Sequence, residues 1–316
     1  MPLGEFDLIE RFFRRASRRG DVLLGVGDDA ALLQVPPGCA LVAATDTLVE
    51  GRHFLPGAPP RSIGHQALAV NLSDLAAMGA EPAWVLLSLS LPEPDERWLE
   101  GFAEGLFALA DAHGAELVGG DTVRGPLVVT IEVLGFVDPA RALTRRGARP
   151  GDLLYVSGWP GESAAGLATL LRGSSSDAAD DPLVTRHLYA EPRIALGRAL
   201  AGRATSAMDV SDGLLGDLRK LCAASGVGAT LELDALPVST ALVARHGPAE
   251  CEQFVLHGGD DYELLFTLPA DRSLPHEPAG LPRMTRIGRI TAGSDVRCIR
   301  DGVEVPVSGG GYDHFR

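Results

Sequence analysis

Hydrophobic residues fall at helical spacing in three stretches of the first half of the chain. Phe6, Leu8, Ile9, Phe12 and Phe13 lie among acids and arginines and predict a short amphipathic helix that ends near Gly20. Residues 61–78 predict a helix capped by Ser62 and stopped at Gly79, with Asn71 and Asp74 on one face and Leu68, Leu72 and Leu75 on the other. A third helix starts after Asp95, carries Leu99, Phe102, Leu106 and Leu109, and ends at Gly114. Continuous apolar runs between these helices predict strands over 40–44, 84–91, 116–118 and 127–137. The order strand, helix, strand, helix, strand, strand predicts an α+β sheet with its helices on one face.

Residues 139–152, rich in Arg, Gly and Pro, predict a crossing between an N-terminal domain over 1–138 and a C-terminal domain over 139–316. A second αβ pattern follows, with a strand over 153–157 and helices over 161–171, 192–200 and 214–224. Further strands are predicted over 229–233, 263–268 and 286–290. Residues 174–181 read as a mobile loop. Asp301-Gly302, between two short apolar runs, predicts a type I′ hairpin. The tail over 309–315 reads as polar and flexible, yet it holds two aromatics. Leu72-Ser73-Asp74-Leu75 echoes Val210-Ser211-Asp212-Gly213, which suggests a duplicated ancestry.

Length and charge narrow the function. A chain of 316 residues exceeds the usual span of one core, so two domains are the default. A formal net charge of −14 excludes a nucleic-acid or anionic-membrane partner, because either needs a basic face. Such a chain can hold a phosphate ligand only if cations intervene. Lys220 is the sole lysine, and no Gly-x-x-x-x-Gly-Lys loop exists. Cys39, Cys222, Cys251 and Cys298 are scattered without a Cys-x-x-Cys pair, which predicts structural thiols in a reduced, cytoplasmic protein. No apolar run reaches the roughly 20 residues that span a bilayer.

The chemistry lies in six acidic segments: Gly27-Asp28-Asp29, Thr45-Asp46-Thr47, Asn71-Leu72-Ser73-Asp74, Gly119-Gly120-Asp121, Asp209-Val210-Ser211-Asp212-Gly213 and His257-Gly258-Gly259-Asp260-Asp261. Each joins carboxylates to small or amide residues, the mixture that a hard, oxygen-seeking cation needs, and all but Asn71 to Asp74, which fall on the helix predicted over 61–78, read as turns. A lone Asp at such a place is more often a cap or turn former, and Asp95 and Asp217 are read that way. Gly25-x-Gly27-x-x-Ala30 superficially matches a dinucleotide fingerprint, but Asp28 and Asp29 would face the pyrophosphate. No nucleophile elbow, Cys-His pair or His-Glu-x-x-His motif is present, and no EF-hand loop supports a non-catalytic calcium module.

Together these residues resemble the thiamine-monophosphate kinases of the aminoimidazole-ribonucleotide synthetase superfamily. The resemblance runs through Val26-Gly27-Asp28-Asp29-Ala30, Thr45-Asp46-Thr47-Leu48-Val49, His53-Phe54, residues 69–80, Gly119-Gly120-Asp121-Thr122, Ala142-Leu143-Thr144-Arg145, residues 209–214, residues 258–264 and residues 311–315. It implies a PurM-like architecture: an N-terminal ferredoxin-like α+β domain whose sheet forms a dimer, then a C-terminal α/β domain. It implies transfer of a phosphoryl group from ATP to thiamine monophosphate, directly and in line. Carried over by position, it implies that Asp29, Thr45, Asp46, Asp74, Asp121, Asp209 and Asp212 hold several magnesium ions. Gly120, Asp121, Arg145 and Ser211 would contact ATP, and His53, Asp260 and Tyr312 the thiamine substrate. Asp260 departs from the family pattern, which usually has Glu there. The alternative is another ATP-dependent synthetase of the superfamily, for selenophosphate or aminoimidazole ribonucleotide. Selenophosphate synthetases carry a reactive Cys or selenocysteine near the N-terminus, whereas the earliest thiol here is Cys39.

Overall fold

The computed structural model describes residues 4–173, 180–275, 280–307 and 309. The chain divides into two compact units, Met1–Leu75 with Ala80–Pro139, and Ala76–Gly79 with Ala140–Arg316.

In the first unit α1 (Glu5–Leu8) runs into a π-helical turn over Ile9–Phe13 and stops at Arg14, well short of Gly20. Burial explains the early stop. Phe12 and Phe13 are the last apolar residues of the stretch, and Phe13 meets Phe102 edge-on at 6.3 Å. The arginines beyond them are drawn into ion pairs: Arg15 and Arg18 both reach Asp111, and the Arg18 N–H donates to Glu116 at 2.6 Å. A small hairpin of β1 (Val22–Leu24) and β2 (Leu32–Leu33) follows.

β3 (Ala40–Val49), α2 (Pro60–Ala77), β4 (Glu81–Leu91), α3 (Glu96–His113), β5 (Glu116–Arg124) and β6 (Val128–Val137) complete the unit. The sheet order is β3-β6-β4-β5, with only β4 and β5 parallel. Leu48, Leu87, Leu89, Val129 and Ile131 form its buried face, and Leu68, Leu72 and Leu75 of α2 and Leu99, Phe102 and Leu106 of α3 are fully buried with them. The two helices touch backbone to backbone, since a Cβ at Gly64 would lie 2.0 Å from the Phe102 carbonyl oxygen. Asp95 caps α3 as expected, accepting the Arg97 N–H at 2.8 Å. Ser62 is not the cap of α2: the helix starts at Pro60, and the Ser62 hydroxyl donates to the Pro59 carbonyl at 2.8 Å.

The second unit holds β7 (Leu153–Ser157), α4 (Glu162–Leu171), α5 (Pro182–Leu188), α6 (Ile194–Leu200), β8 (Ser206–Val210), α7 (Leu214–Ser225) and β9 (Gly228–Glu232). α8 (Thr240–Val243), α9 (Pro248–His257), β10 (Glu263–Leu268), β11 (Met284–Thr291), β12 (Val296–Arg300) and β13 (Val303–Val305) follow. Its sheet order is β13-β12-β9-β11-β7-β10-β8, antiparallel except between β9 and β12. β8 and β10 are buried along their whole length. Cys222, Cys251 and Cys298 sit in the core as unpaired thiols, and burial pushes Cys222 up to about 11. Asp301 and Gly302, with φ of 50° and 76°, make the predicted hairpin turn. α5, α8 and α9 were not anticipated. Most of the predicted loop over 174–181 and of the tail lies outside the described residues.

Candidate active site

In the first unit the unburied face of the sheet forms one wall of a groove of about 860 Å³. Strand register places its polar residues. Thr47, Thr130, Ser88 and Asp121 align across four strands, and Thr45, Glu132, Leu86 and Gly119 make the next row. Thr47 and Thr130 share a hydroxyl hydrogen bond of 2.8 Å. The position of Asp121 depends on a bulge: pairing shifts from Val85↔Leu117 to Leu86↔Gly119, so Val118 is the extra residue. A slip of one residue would turn Asp121 to the other face. Gly120 is required here, because its φ is +148° and a Cβ would lie 1.8 Å from the Leu87 carbonyl oxygen.

The loop between β1 and β2 brings Asp28 and Asp29 to the same groove, where the Asp28 carboxylate accepts the Asp29 N–H at 2.8 Å. The groove therefore gathers Asp28, Asp29, Thr45, Ser88, Asp121, Thr130 and Glu132, all oxygen donors, alongside apolar Phe6, Ile9 and Leu33. Asp46 lies elsewhere. It pairs with Ile131 in the row of Leu87, on the opposite face of the sheet from Thr45. Asn71 and Asp74 stand within α2; Asn71 is fully buried, its amide donates to the Ala67 carbonyl at 2.9 Å, and its Oδ1 has no hydrogen-bond partner. His53 Nδ1 accepts the Val49 N–H at 3.0 Å, which leaves its proton on Nε2.

The acidic segments are thus not all turns. Thr45-Asp46-Thr47 lies within β3 and Gly119-Gly120-Asp121 in the middle of β5, while Asn71 to Asp74 lie on the helix expected there. The echo between Leu72-Ser73-Asp74 and Val210-Ser211-Asp212 joins a helix interior to a strand end, so it marks no structural repeat.

In the second unit Asp209 is the penultimate residue of β8 and is 5% exposed. The chain then turns through Ser211, Asp212 and Gly213 into α7. Asp217, in the first turn of that helix and fully buried, accepts the N–H groups of both Ser211 and Asp212 at 3.0 Å. Lys220 donates to Asp217 at 2.8 Å and also pairs with Asp212. Burial pushes the Asp217 carboxyl up, with Lys220 opposing it. Burial alone would pull the Lys220 ammonium down, but the Asp212 and Asp217 carboxylates outweigh it and raise it.

The segment over 258–262 lies against this turn. The Asp260 N–H donates to the Ser211 carbonyl and the Tyr262 N–H to the Val210 carbonyl, each at 2.9 Å. The Tyr262 hydroxyl donates to the Asp260 carboxylate at 3.0 Å. Behind it, the buried Glu263 accepts from Arg186, Arg193 and the Ser157 hydroxyl. Burial would raise the Glu263 carboxyl, yet the two arginines hold it below its ordinary value. Asp261 is fully buried, its carboxylate accepts the Gly161 and Ser163 N–H groups, and burial pushes it well above the usual carboxylate range.

Of the residues singled out from the sequence, the first unit gathers Asp29, Thr45, Gly120 and Asp121 at the groove. The second gathers Asp209, Ser211, Asp212 and Asp260 at two joined loops. The Arg145 carbonyl accepts from the Ser225 hydroxyl at 2.8 Å, and Tyr312 lies outside the described residues. Among the described residues no three His, Cys, Asp or Glu side chains form one metal-holding group. The side-chain donors lining the groove are nonetheless carboxylate and hydroxyl oxygens with no thiol or imidazole among them, a set that suits a hard divalent cation. Sequence reading missed Ser88, Glu132, Lys220, Glu263, Arg186 and Arg193 and took Asp217 for a simple cap; the Asp217–Lys220 spacing of one helical turn was the available signal.

Residues 27–137 match the model of the AIR synthase related protein N-terminal domain, and residues 149–301 that of the AIR synthase related protein C-terminal domain. The chain is 51% identical over 325 residues to the thiamine-monophosphate kinase of Escherichia coli (strain K12), covering 100% of this chain and 99% of that one. It resembles the crystal structure of thiamine-monophosphate kinase from Stenotrophomonas maltophilia K279a with a TM-score of 0.85, 45% identity, and coverage of 96% and 98%. A structure described as AaThiL complexed with AMPPCP and TMP matches with a TM-score of 0.79 and 34% identity, over 89% of each chain.

Proposed function

We infer the function from the premise that this chain belongs to the AIR synthase related family and, within it, to the thiamine-monophosphate kinases: it transfers the γ-phosphoryl group of ATP to thiamine monophosphate, giving thiamine diphosphate and ADP. The observation that carries this reading is 51% identity across the whole chain to a thiamine-monophosphate kinase. The two-ligand complex of the relative described with AMPPCP and TMP fits the same pair of substrates.

The groove walls supply carboxylates where a triphosphate needs positive charge, on a chain of net charge −14. A bound polyanion therefore requires cations between ligand and protein. In the first unit Asp29, Thr45 and Asp121 at the groove, with Asp46 and Asp74 outside its lining, and in the second Asp209 and Asp212, are the residues we assign to magnesium. Divalent cations there would screen the two phosphates from each other and neutralise charge on the transferring group. Asn71, with its buried Oδ1 unpartnered, adds an oxygen one helical turn before Asp74.

The protein's own groups bind and orient. Gly120 lets β5 approach closely, and its neighbour Asp121 faces the groove; with Arg145 and Ser211 these are the residues we assign to ATP. Asp217 fixes the Ser211–Asp212 backbone through two hydrogen bonds, so the Asp212 carboxylate is preset. No side-chain nucleophile or general base is needed, because the monophosphate oxygen is already ionised near neutral pH and can attack the γ-phosphorus in line. His53, Asp260 and Tyr312 are assigned to the thiamine end, where a carboxylate and an aromatic face suit a cationic ring.

The protein would act as a homodimer in the cytoplasm. The first-unit sheet leaves Val49 and Val123 exposed in one row with Val128, an apolar strip suited to a second copy. The described cysteines are all unpaired, as a reducing compartment would keep them. The test is formation of thiamine diphosphate by purified protein with ATP, magnesium and thiamine monophosphate.

A further inference from the structure

Asp260 and Tyr262 flank Asp261 with φ of 61° and 52°, in the left-handed region that residues with a Cβ avoid. Such residues persist only where their surroundings over-determine them, and they cluster at functional sites. The backbone of this turn is tied on one side to Val210 and Ser211, and the Asp261 carboxylate to the Gly161 and Ser163 amides. A further tie is Arg186 of α5. Its Nη2 donates to the Asp261 carbonyl at 2.9 Å and to Glu263 Oε1 at 2.6 Å, so one guanidinium nitrogen clamps the centre of the turn to the first residue of β10. Arg193 holds the same Glu263 carboxylate at 2.7 and 2.6 Å, but its other hydrogen bond goes to Glu191. The two arginines thus share a buried partner, and Arg186 also grips the strained backbone.

We propose that Arg186 is a positioning residue for the thiamine end of the site: by clamping the Asp261 carbonyl it keeps the 260–262 turn left-handed and holds the Asp260 carboxylate where it meets the cationic ring. This rests on the assignment of Asp260 to substrate made above. Loss of the clamp lets the turn relax toward ordinary φ and carries Asp260 away from the ring. ATP, which the assignment places on other residues, is bound as before.

The test measures KM for both substrates, with thermal unfolding in parallel, in Arg186→Gln, Arg193→Gln, Asp260→Asn and the Arg186→Gln/Asp260→Asn double variant. Arg186→Gln should raise KM for thiamine monophosphate about fivefold, the scale of one lost charge contact, with KM for ATP unchanged. The double variant should be no worse than Asp260→Asn alone, because both changes remove one contact. Arg193→Gln should lower the unfolding temperature and leave both KM values in place. If Arg186→Gln does not fold, Arg186→Lys keeps the charge facing Glu263 but ends one bond short of the Nη2 that reaches the Asp261 carbonyl, and the same comparison is read from it. The proposal is overturned if Asp260→Asn raises KM for thiamine monophosphate and the Arg186 variant does not, or if the two arginine variants act alike. If Asp260→Asn leaves that KM unchanged, the substrate assignment itself has failed and the clamp's role falls with it.

Discussion

Asp217 Oδ2 accepts the backbone N–H of Asp212 at 3.0 Å, and the same oxygen accepts that of Ser211 at 3.0 Å. A buried carboxylate therefore builds the turn on which another carboxylate is displayed. The geometry of Asp212 is fixed by its backbone, so its side-chain charge can be removed without undoing the turn.

Asp212→Asn is expected to fold normally and to lose at least about a hundredfold in turnover, the scale seen when charge stabilising a transition state is deleted. Steady-state kinetics beside a thermal melt check this. A variant that melts early but keeps near-normal activity per folded molecule would mean that Asp212 serves the fold.

Glu263 gives a pH prediction. Its folded carboxyl lies below the ordinary value because the arginines outweigh burial. As pH falls the unfolded chain therefore takes up the proton first, so the stabilisation is present above the ordinary glutamate value and is lost below it. Glu263→Gln should cost roughly 3–5 kcal/mol at neutral pH by leaving two buried guanidinium groups short of a counter-charge. The gap in melting temperature between wild type and variant should close as pH drops below about 4. A gap that does not change with pH would contradict the ion-pair account.

How far the sequence alone reached can be judged from Asp121 and Asp217. That Asp121 belongs with Asp29 and Thr45 was legible from residue type and from resemblance. That it sits in a strand was not, because two glycines read as a turn, whereas here they allow a bulge and a close strand approach. Thr45-Asp46-Thr47 misled for a related reason: a sheet with one uncovered face tolerates polar residues that usually signal a strand end. Helical and strand periodicity placed α3, β7 and β10 well, since each buries a regular set of apolar residues. α5 and its Arg186 left no pattern, because the tie they make depends on residues more than 70 positions away.

Removing metal should abolish activity, and magnesium should restore it. Dialysis against EDTA followed by titration of magnesium chloride checks this; full turnover in chelated buffer would refute the role given to the acidic groove.

The protein should scatter light as a dimer at micromolar concentration, twice the 33.1 kDa of one chain. Charged substitutions at Val49 and Val123, both exposed in one row of the first-unit sheet, should shift it toward the monomer. A mass of one chain for the wild type would count against the assigned interface.

The most direct measurement is the product balance. Purified protein is incubated with ATP, magnesium and thiamine monophosphate, and nucleotides and thiamine esters are separated by chromatography. One thiamine diphosphate should appear for each ADP formed, with no turnover when thiamine monophosphate is omitted. ATP consumed without thiamine diphosphate, or no reaction at all from folded protein, would contradict the assignment.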